Sequence, residues 1–142
     1  MNLTWRGVFT DPEVHVLRRE CFGGSASAHD WWAQVNEHSL GWVCARSGGD
    51  LVGWVNVAWD GAGHAFVLDT AVAVTHRRRG IASGLITVAV DESREAGCRW
   101  LHVDFVSELA PLYLDACGFR STAAGLLDLR SPAGARVPEQ PS

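Results

Sequence analysis

The stretch that decides the fold runs from His64 to Gly84: HAFVLDTAVAV (64–74), THRRRG (75–80), then IASG opening the next segment (81–84). Residues 64–74 are apolar and β-branched with little polar alternation, the pattern of a buried strand, here expected to be the central one with cover on both faces. Residues 81–96 carry Ile81, Leu85, Val88 and Ala89 at helical spacing, with Gly97 in the C-terminal cap position. Residues 100–105 return to a strand pattern. Strand, helix and strand in succession make a βαβ unit, so the two strands are expected to be parallel with a right-handed crossover.

Upstream, residues 42–46 and 51–59 alternate on either side of Ser47-Gly48-Gly49-Asp50, which predicts a β-hairpin, and Asp60-Gly61-Ala62-Gly63 adds a second turn. Two helices precede it. One starts at Asp11-Pro12, with Asp11 expected as the cap and Gly23-Gly24 as the stop; the other opens at His29-Asp30-Trp31-Trp32 and ends near residues 39–41. Downstream, residues 110–116 predict a short helix and residues 126–129 a last strand. The expected architecture is a mixed α/β domain of three layers over residues 1–130, with a mostly antiparallel sheet containing one parallel βαβ unit. Residues 131–142, rich in proline and poor in core formers, read as a flexible tail.

Composition narrows the function. The chain has 142 residues and a net charge of −4, and all twelve of its basic residues are arginine. Without lysine, a Walker-type phosphate loop and Schiff-base chemistry fall away. Overall acidity argues against a broad nucleic-acid face, and no apolar run approaches a membrane span. The start lacks the apolar block of a secretory signal, so the expected compartment is the cytoplasm. Cys21, Cys44, Cys98 and Cys117 are scattered and read as free thiols, and no histidine spacing suggests a metal.

The segment HRRRGIASG (76–84) carries the chemistry. Cations at a helix N-terminus cost ~0.3–1 kcal/mol apiece when exposed, so Arg77, Arg78 and Arg79 make sense where an anion neutralises them. Gly80 and the small Ala82 let a phosphate approach the free N–H groups of the first turn. G-x-G-x-x-G is absent, which argues against a dinucleotide fold.

Arg77-Arg78-Arg79-Gly80-Ile81-Ala82 resembles the R/Q-x-x-G-x-G/A signature of the GCN5-related N-acetyltransferases (GNAT), with Val72-Ala73-Val74 before it as in that family. Residues 100–103 (WLHV) and 110–119 (APLYLDACGF) resemble the next family strand and the A-x-x-L-Y-x-x-x-G-F block after it. The resemblance implies acetyl-coenzyme A as donor and an amine, on a small molecule or peptide, as acceptor, with no metal required. It also implies that the N–H groups of Arg78 to Ala82 hold the pyrophosphate, with Arg77 and Ser83 flanking, and that the backbone of Val72, Ala73 and Val74 pairs with the pantetheine arm. Ser107 or Glu108 takes the neighbourhood of a common family asparagine. Tyr113, the one tyrosine, stands one residue before the family position of the residue that protonates the thiolate.

Asp69 and His102 compete as general base: a carboxylate in an apolar run needs a partner in a cleft, and a histidine needs little tuning. Asp104 is placed by period two to orient His102 or bind the acceptor. Trp31, Trp32 and Trp54 fall where the family walls its acceptor side. A coenzyme A-binding regulatory module without catalysis is the alternative, and a homodimer through the last strand is a further expectation.

Overall fold

The computed structural model describes residues 1–24 and 28–130; the expected tail at 131–142 lies outside them. Five strands form one sheet in sequence order: β1 (Asn2–Trp5), β2 (Ser39–Ser47), β3 (Asp50–Trp59), β4 (His64–Val72) and β5 (Trp100–Val103). The first three pairings are antiparallel and β4–β5 is parallel. Three helices pack on it: α1 (Asp11–Phe22), α2 (Trp31–His38) and α3 (Ile81–Glu95). Among the described residues no helix is long and apolar enough to cross a membrane.

Alternation along the strands assigns the two faces. A Cβ on Gly53 would lie 3.0 Å from Ile81 and 3.2 Å from Leu85, so α3 presses directly onto the hairpin there. The indole of Trp5 lies over Gly41 on this face, where only a missing side chain gives it room. On the opposite face Trp42 and Trp54 are fully buried beneath Phe9, Trp31 and Trp32, in edge-to-face contacts with centroids 5.1–6.0 Å apart. Such contacts add to the area term and fix ring orientation. Three layers therefore stack as α1 and α2, sheet, and α3.

Four expectations need correction. Thr10, not Asp11, caps α1: its hydroxyl accepts from the Glu13 N–H while the Glu13 carboxylate accepts from the Thr10 N–H, a reciprocal capping box. Asp11 instead accepts the Trp32 N–H at 2.8 Å, which ties the start of α2 to α1. The strand 64–72 is fourth of five rather than central, and Phe66 and Leu68 are exposed while Ala65 and Val67 are buried, because no helix covers the outer face of its first half. Residues 126–129 form no strand; Leu126, Leu127 and Leu129 are exposed and β5 stays at the sheet edge. The helix expected at 110–116 is one wide turn, Pro111–Ala116, closed by a Cys117 N–H to Leu112 O bond.

Glu13 also docks α1 on the sheet. Both its oxygens accept from the Arg46 guanidinium, at 2.8 and 3.0 Å, and the same guanidinium donates to the carbonyls of Val8 and Gly49. The Arg46 hydrogen bonds, above all, hold the Glu13 carboxyl at about 2 against an ordinary 4.5. A depressed folded-state value supplies stability that is fully present above about pH 4.5 and is lost as pH falls toward 2. Solvent screening of these partly exposed side chains reduces its worth to about 1 kcal/mol. Unfolding free energy followed from pH 6 down to the acid limit should show this loss in the native protein and a shallower slope in Glu13→Gln; equal slopes would remove the role of the pair.

Candidate functional site

The site begins with an extra residue. Trp54 pairs with Ala71 and Asn56 with Leu68, so Asp69 and Thr70 of β4 together face Val55 of β3, a β-bulge. Asp69 takes φ 63°, a left-handed conformation that most side chains resist and aspartate tolerates. The β4–β5 ladder runs from His64↔Trp100 to Val67↔Val103 and stops just short of the bulge. Beyond it β4 continues to Val72 while β5 has ended, leaving a cleft at the carboxyl ends of two parallel strands, where open α/β sheets take their ligands.

The two bulge residues reach different elements. The Asp69 carboxylate accepts from Arg18 of α1 at 2.6 Å through Oδ1. The Thr70 hydroxyl accepts from the Tyr113 hydroxyl at 3.1 Å, across on the 111–116 turn that contacts α3. Tyr113 is fully buried, with its ring stacked on Phe105 and edge-on to Phe119. Burial pushes its phenol above the usual value, so it is protonated at neutral pH and available as a donor.

Past the bulge, the Ala73 N–H turns inward to Val52 O at 2.8 Å, so by strand alternation the backbone groups of Val72 point away from β3 into the cleft. The Val72 carbonyl receives the Cys21 thiol at 3.3 Å and Arg77 Nε at 3.4 Å. The Val74 N–H is held by Glu20 of α1 at 2.9 Å. A short 3-10 turn, Val74–His76, then leads into the arginine run, where Arg78 and Gly80 both have positive φ. Gly80 opens α3 with no side-chain cap and no acid in the first turn. The Gly84 N–H is the first to bond back, to Gly80 O, so the N–H groups of Ile81, Ala82 and Ser83 precede the helical ladder at an exposed cationic end.

The remaining sequence-chosen residues are spread around this cleft. His102 lies in the paired part of β5, its Nε2 2.7 Å from His64 Nδ1 and its ring stacked on Phe66. Asp104 lies exposed beyond the end of β5 and forms no hydrogen bond with His102. Ser107 begins a 3-10 turn, Ser107–Leu109. Of the tryptophans, Trp31 walls a cavity; Trp54 is wholly buried behind it and Trp32 packs outward on Phe9 and Trp42. Cys117 is half-buried, and burial raises its thiol out of the reactive range. All four cysteines are free. Among the described residues no group of three or more His, Cys, Asp or Glu is placed to hold a metal. Arg18, Glu20 and Thr70 have no sequence motif; Arg18 stands 51 positions from the carboxylate it meets.

Comparison with known proteins agrees with this geometry. The family described as "Acetyltransferase (GNAT) family" matches residues 11–119. No curated protein matches the chain. Among solved structures, a GNAT-family acetyltransferase from Streptococcus pneumoniae is 20% identical, with 90% of this chain and 98% of that one covered and a TM-score of 0.71. An aminoglycoside antibiotic 6′-N-acetyltransferase from Acinetobacter haemolyticus is 17% identical, covering 93% and 99%, with a TM-score of 0.71. A putative acetyltransferase from Agrobacterium tumefaciens is 15% identical, covering 90% and 99%, with a TM-score of 0.76. At these identities the likeness establishes the fold.

The Arg18–Asp69 pair holds a strained residue and links α1 to β4, so the two side chains should be energetically coupled. A double-mutant cycle of Arg18→Gln with Asp69→Asn, read by urea unfolding, should give a coupling of about 1 kcal/mol. Strict additivity would show that the contact does not stabilise the bulge.

Proposed function

Since this chain belongs to the GNAT acetyltransferase family, we propose that it is an N-acetyltransferase that moves the acetyl group of acetyl-coenzyme A to a primary amine of a small molecule or peptide by direct attack in a ternary complex. The observation that carries this reading is the cleft itself: a strand edge at Val72 runs from the Asp69–Thr70 bulge toward an uncapped, arginine-rich helix start. These residues fit the donor. Its pyrophosphate suits the N–H groups from Arg78 to Ala82, where Gly80 leaves the approach open, with Arg77, Arg79 and Ser83 beside it. Its amide-bearing arm suits the Val72 backbone as an added strand, with Ala73 and Val74 continuing the edge, and Ser107 remains a proposed donor contact.

Direct transfer forms a bond from the amine nitrogen to the acetyl carbon and breaks the carbon–sulfur bond. One proton must leave the nitrogen and one must reach the sulfur. Asp69 is the favoured base. Its Oδ1 is fixed by Arg18, and no hydrogen bond engages Oδ2, which is free to accept from the amine at the start of the cleft. His102 is the second candidate, but the Nε2 it would offer is already shared with His64. Tyr113 is the favoured acid, delivering its proton toward the sulfur through the Thr70 hydroxyl, because the phenol itself has no exposed surface. The Val72 N–H is the donor placed to polarise the thioester carbonyl.

Two experiments test the reading. Coenzyme A should raise the melting temperature, more at low salt. Gly80→Glu should abolish the rise, while Gly80→Ala, with the same left-handed strain but no added charge, should keep most of it; an unchanged rise in Gly80→Glu would remove the phosphate site. Tight coenzyme A binding with no turnover across an amine panel would instead favour the binding-module alternative.

Kinetics then assign the protons. Asp69→Asn should cost roughly 100-fold in kcat/KM with donor affinity intact, and His102→Gln far less. Tyr113→Phe should lower kcat and leave donor affinity nearly unchanged. Near-native rates in all three would leave positioning and backbone polarisation as the main contributors.

A further inference from the structure

The acceptor side of the site has a charge character that neither the family nor the overall acidity of the chain foretells. Between α1 and the start of α2 lies a cavity of ≈ 260 Å³, whose polar lining comes from His15, Arg18, Arg19 and His29 and whose apolar walls are Phe22 and Trp31; no carboxylate is among its lining residues. In a protein of net charge −4, this is a local concentration of basic side chains, two of them arginine.

Arg18 is held there as a rigid receptor. Its guanidinium carbon lies 4.8 Å from the ring centroids of both Phe22 and Trp31, and its NH1 is tied to Asp69 at 2.6 Å. An arginine held by two rings and at one nitrogen has lost much of its rotamer freedom before a ligand arrives. Its remaining N–H donors lie in one plane, the geometry that pairs with a carboxylate. Arg19 and His15 border the same space. Trp31, which lines the cavity, and Trp54 behind it, with ring centroids 5.8 Å apart, each bury an indole N–H that has no hydrogen-bond partner.

The contact from Arg18 to Asp69 places this cavity next to the bulge where the amine would lose its proton. We propose that the cavity receives a carboxylate carried by the acceptor itself, so that the substrate class is small amines bearing a carboxylate, amino acids among them, rather than polycations. This rests on the transferase reading above. One guanidinium then serves both ends of the substrate: it holds the carboxylate directly and holds Asp69 where the amine arrives. A polyamine entering the same space meets like charge at Arg18 and Arg19.

The test separates binding from transfer. In the presence of saturating coenzyme A, 3-phenylpropionate and 3-phenylpropionamide, which cannot react, are titrated calorimetrically. The carboxylate should bind at least about 10-fold more tightly than the amide, as expected for a charge-assisted contact. Arg18→Gln should erase the difference, and Arg19→Gln, on an exposed side chain, should reduce it. With acetyl-coenzyme A, L-phenylalanine should be acetylated at least about 10-fold more efficiently than L-phenylalaninamide when rates are compared per neutral amine. Equal binding of the two probes, displacement of the carboxylate by coenzyme A, or an unchanged preference in both arginine variants would overturn the proposal. Carboxylate binding that depends on Arg18 but is accompanied by no turnover of any amine would overturn the acceptor role together with the transferase reading, leaving a plain anion cavity.

Discussion

One extra residue in β4 organises the site. Because Asp69 and Thr70 share a single partner across the sheet, the strand bends at the point where β5 stops following it. The bend bares the Val72 backbone and presents neighbouring side chains to different partners, Asp69 to α1 and Thr70 to the turn that carries Tyr113. The left-handed backbone at Asp69 costs about 1 kcal/mol or more, and the surrounding contacts must outweigh it. The Arg18 ion pair on one side and the packed α3 face on the other hold the strand in this shape.

The layers that hold the bulge are fixed by different forces. On the α3 face, close approach matters: Gly53 and Gly41 leave out side chains so that α3 and the Trp5 ring can sit against the hairpin. On the other face, aromatic rings fill the space, and the polar work falls to the Arg46–Glu13 fork, which joins the start of α1 to β2. α1 is thus fastened at its N-terminus by Arg46 and toward its C-terminus by Arg18, Glu20 and Cys21 against β4. Since both the cavity beside Trp31 and the Val72 edge are bordered by α1, any slackening of this helix would reach both at once.

What could be read from the sequence was whatever is written in local pattern. The βαβ unit, the hairpin and the glycine that opens α3 follow from period and turn chemistry over short windows, and they stand where expected. The strand Asn2–Trp5 was invisible because four residues at a sheet edge carry no period; pairing with β2 alone makes it a strand. The leucines at 126, 127 and 129 gave the opposite error, an apolar run that stays exposed and leaves β5 at the sheet edge. The cap of α1 was misplaced by one residue because Thr10 and Asp11 are both good caps, and only the reach to Glu13 decides between them. For the site, Asp69 was legible as an anomaly in an apolar strand, and a paired carboxylate is what the structure holds there. Its partner was not legible, since an arginine on a helix surface looks like any other until the fold brings distant positions together.

The arginine run at the head of α3 has a chemical corollary for an acetyl-transferring protein. A strongly bound thioester is an indiscriminate acylating agent toward any neutral amine held near it, and lysine side chains around a donor site are natural victims. The twelve cations of this chain are all guanidinium groups, which stay protonated and are poor nucleophiles at neutral pH. The chain thus gathers positive charge at the head of α3 without a single side-chain amine, and a cradle of this kind would be chemically inert toward a thioester bound in it.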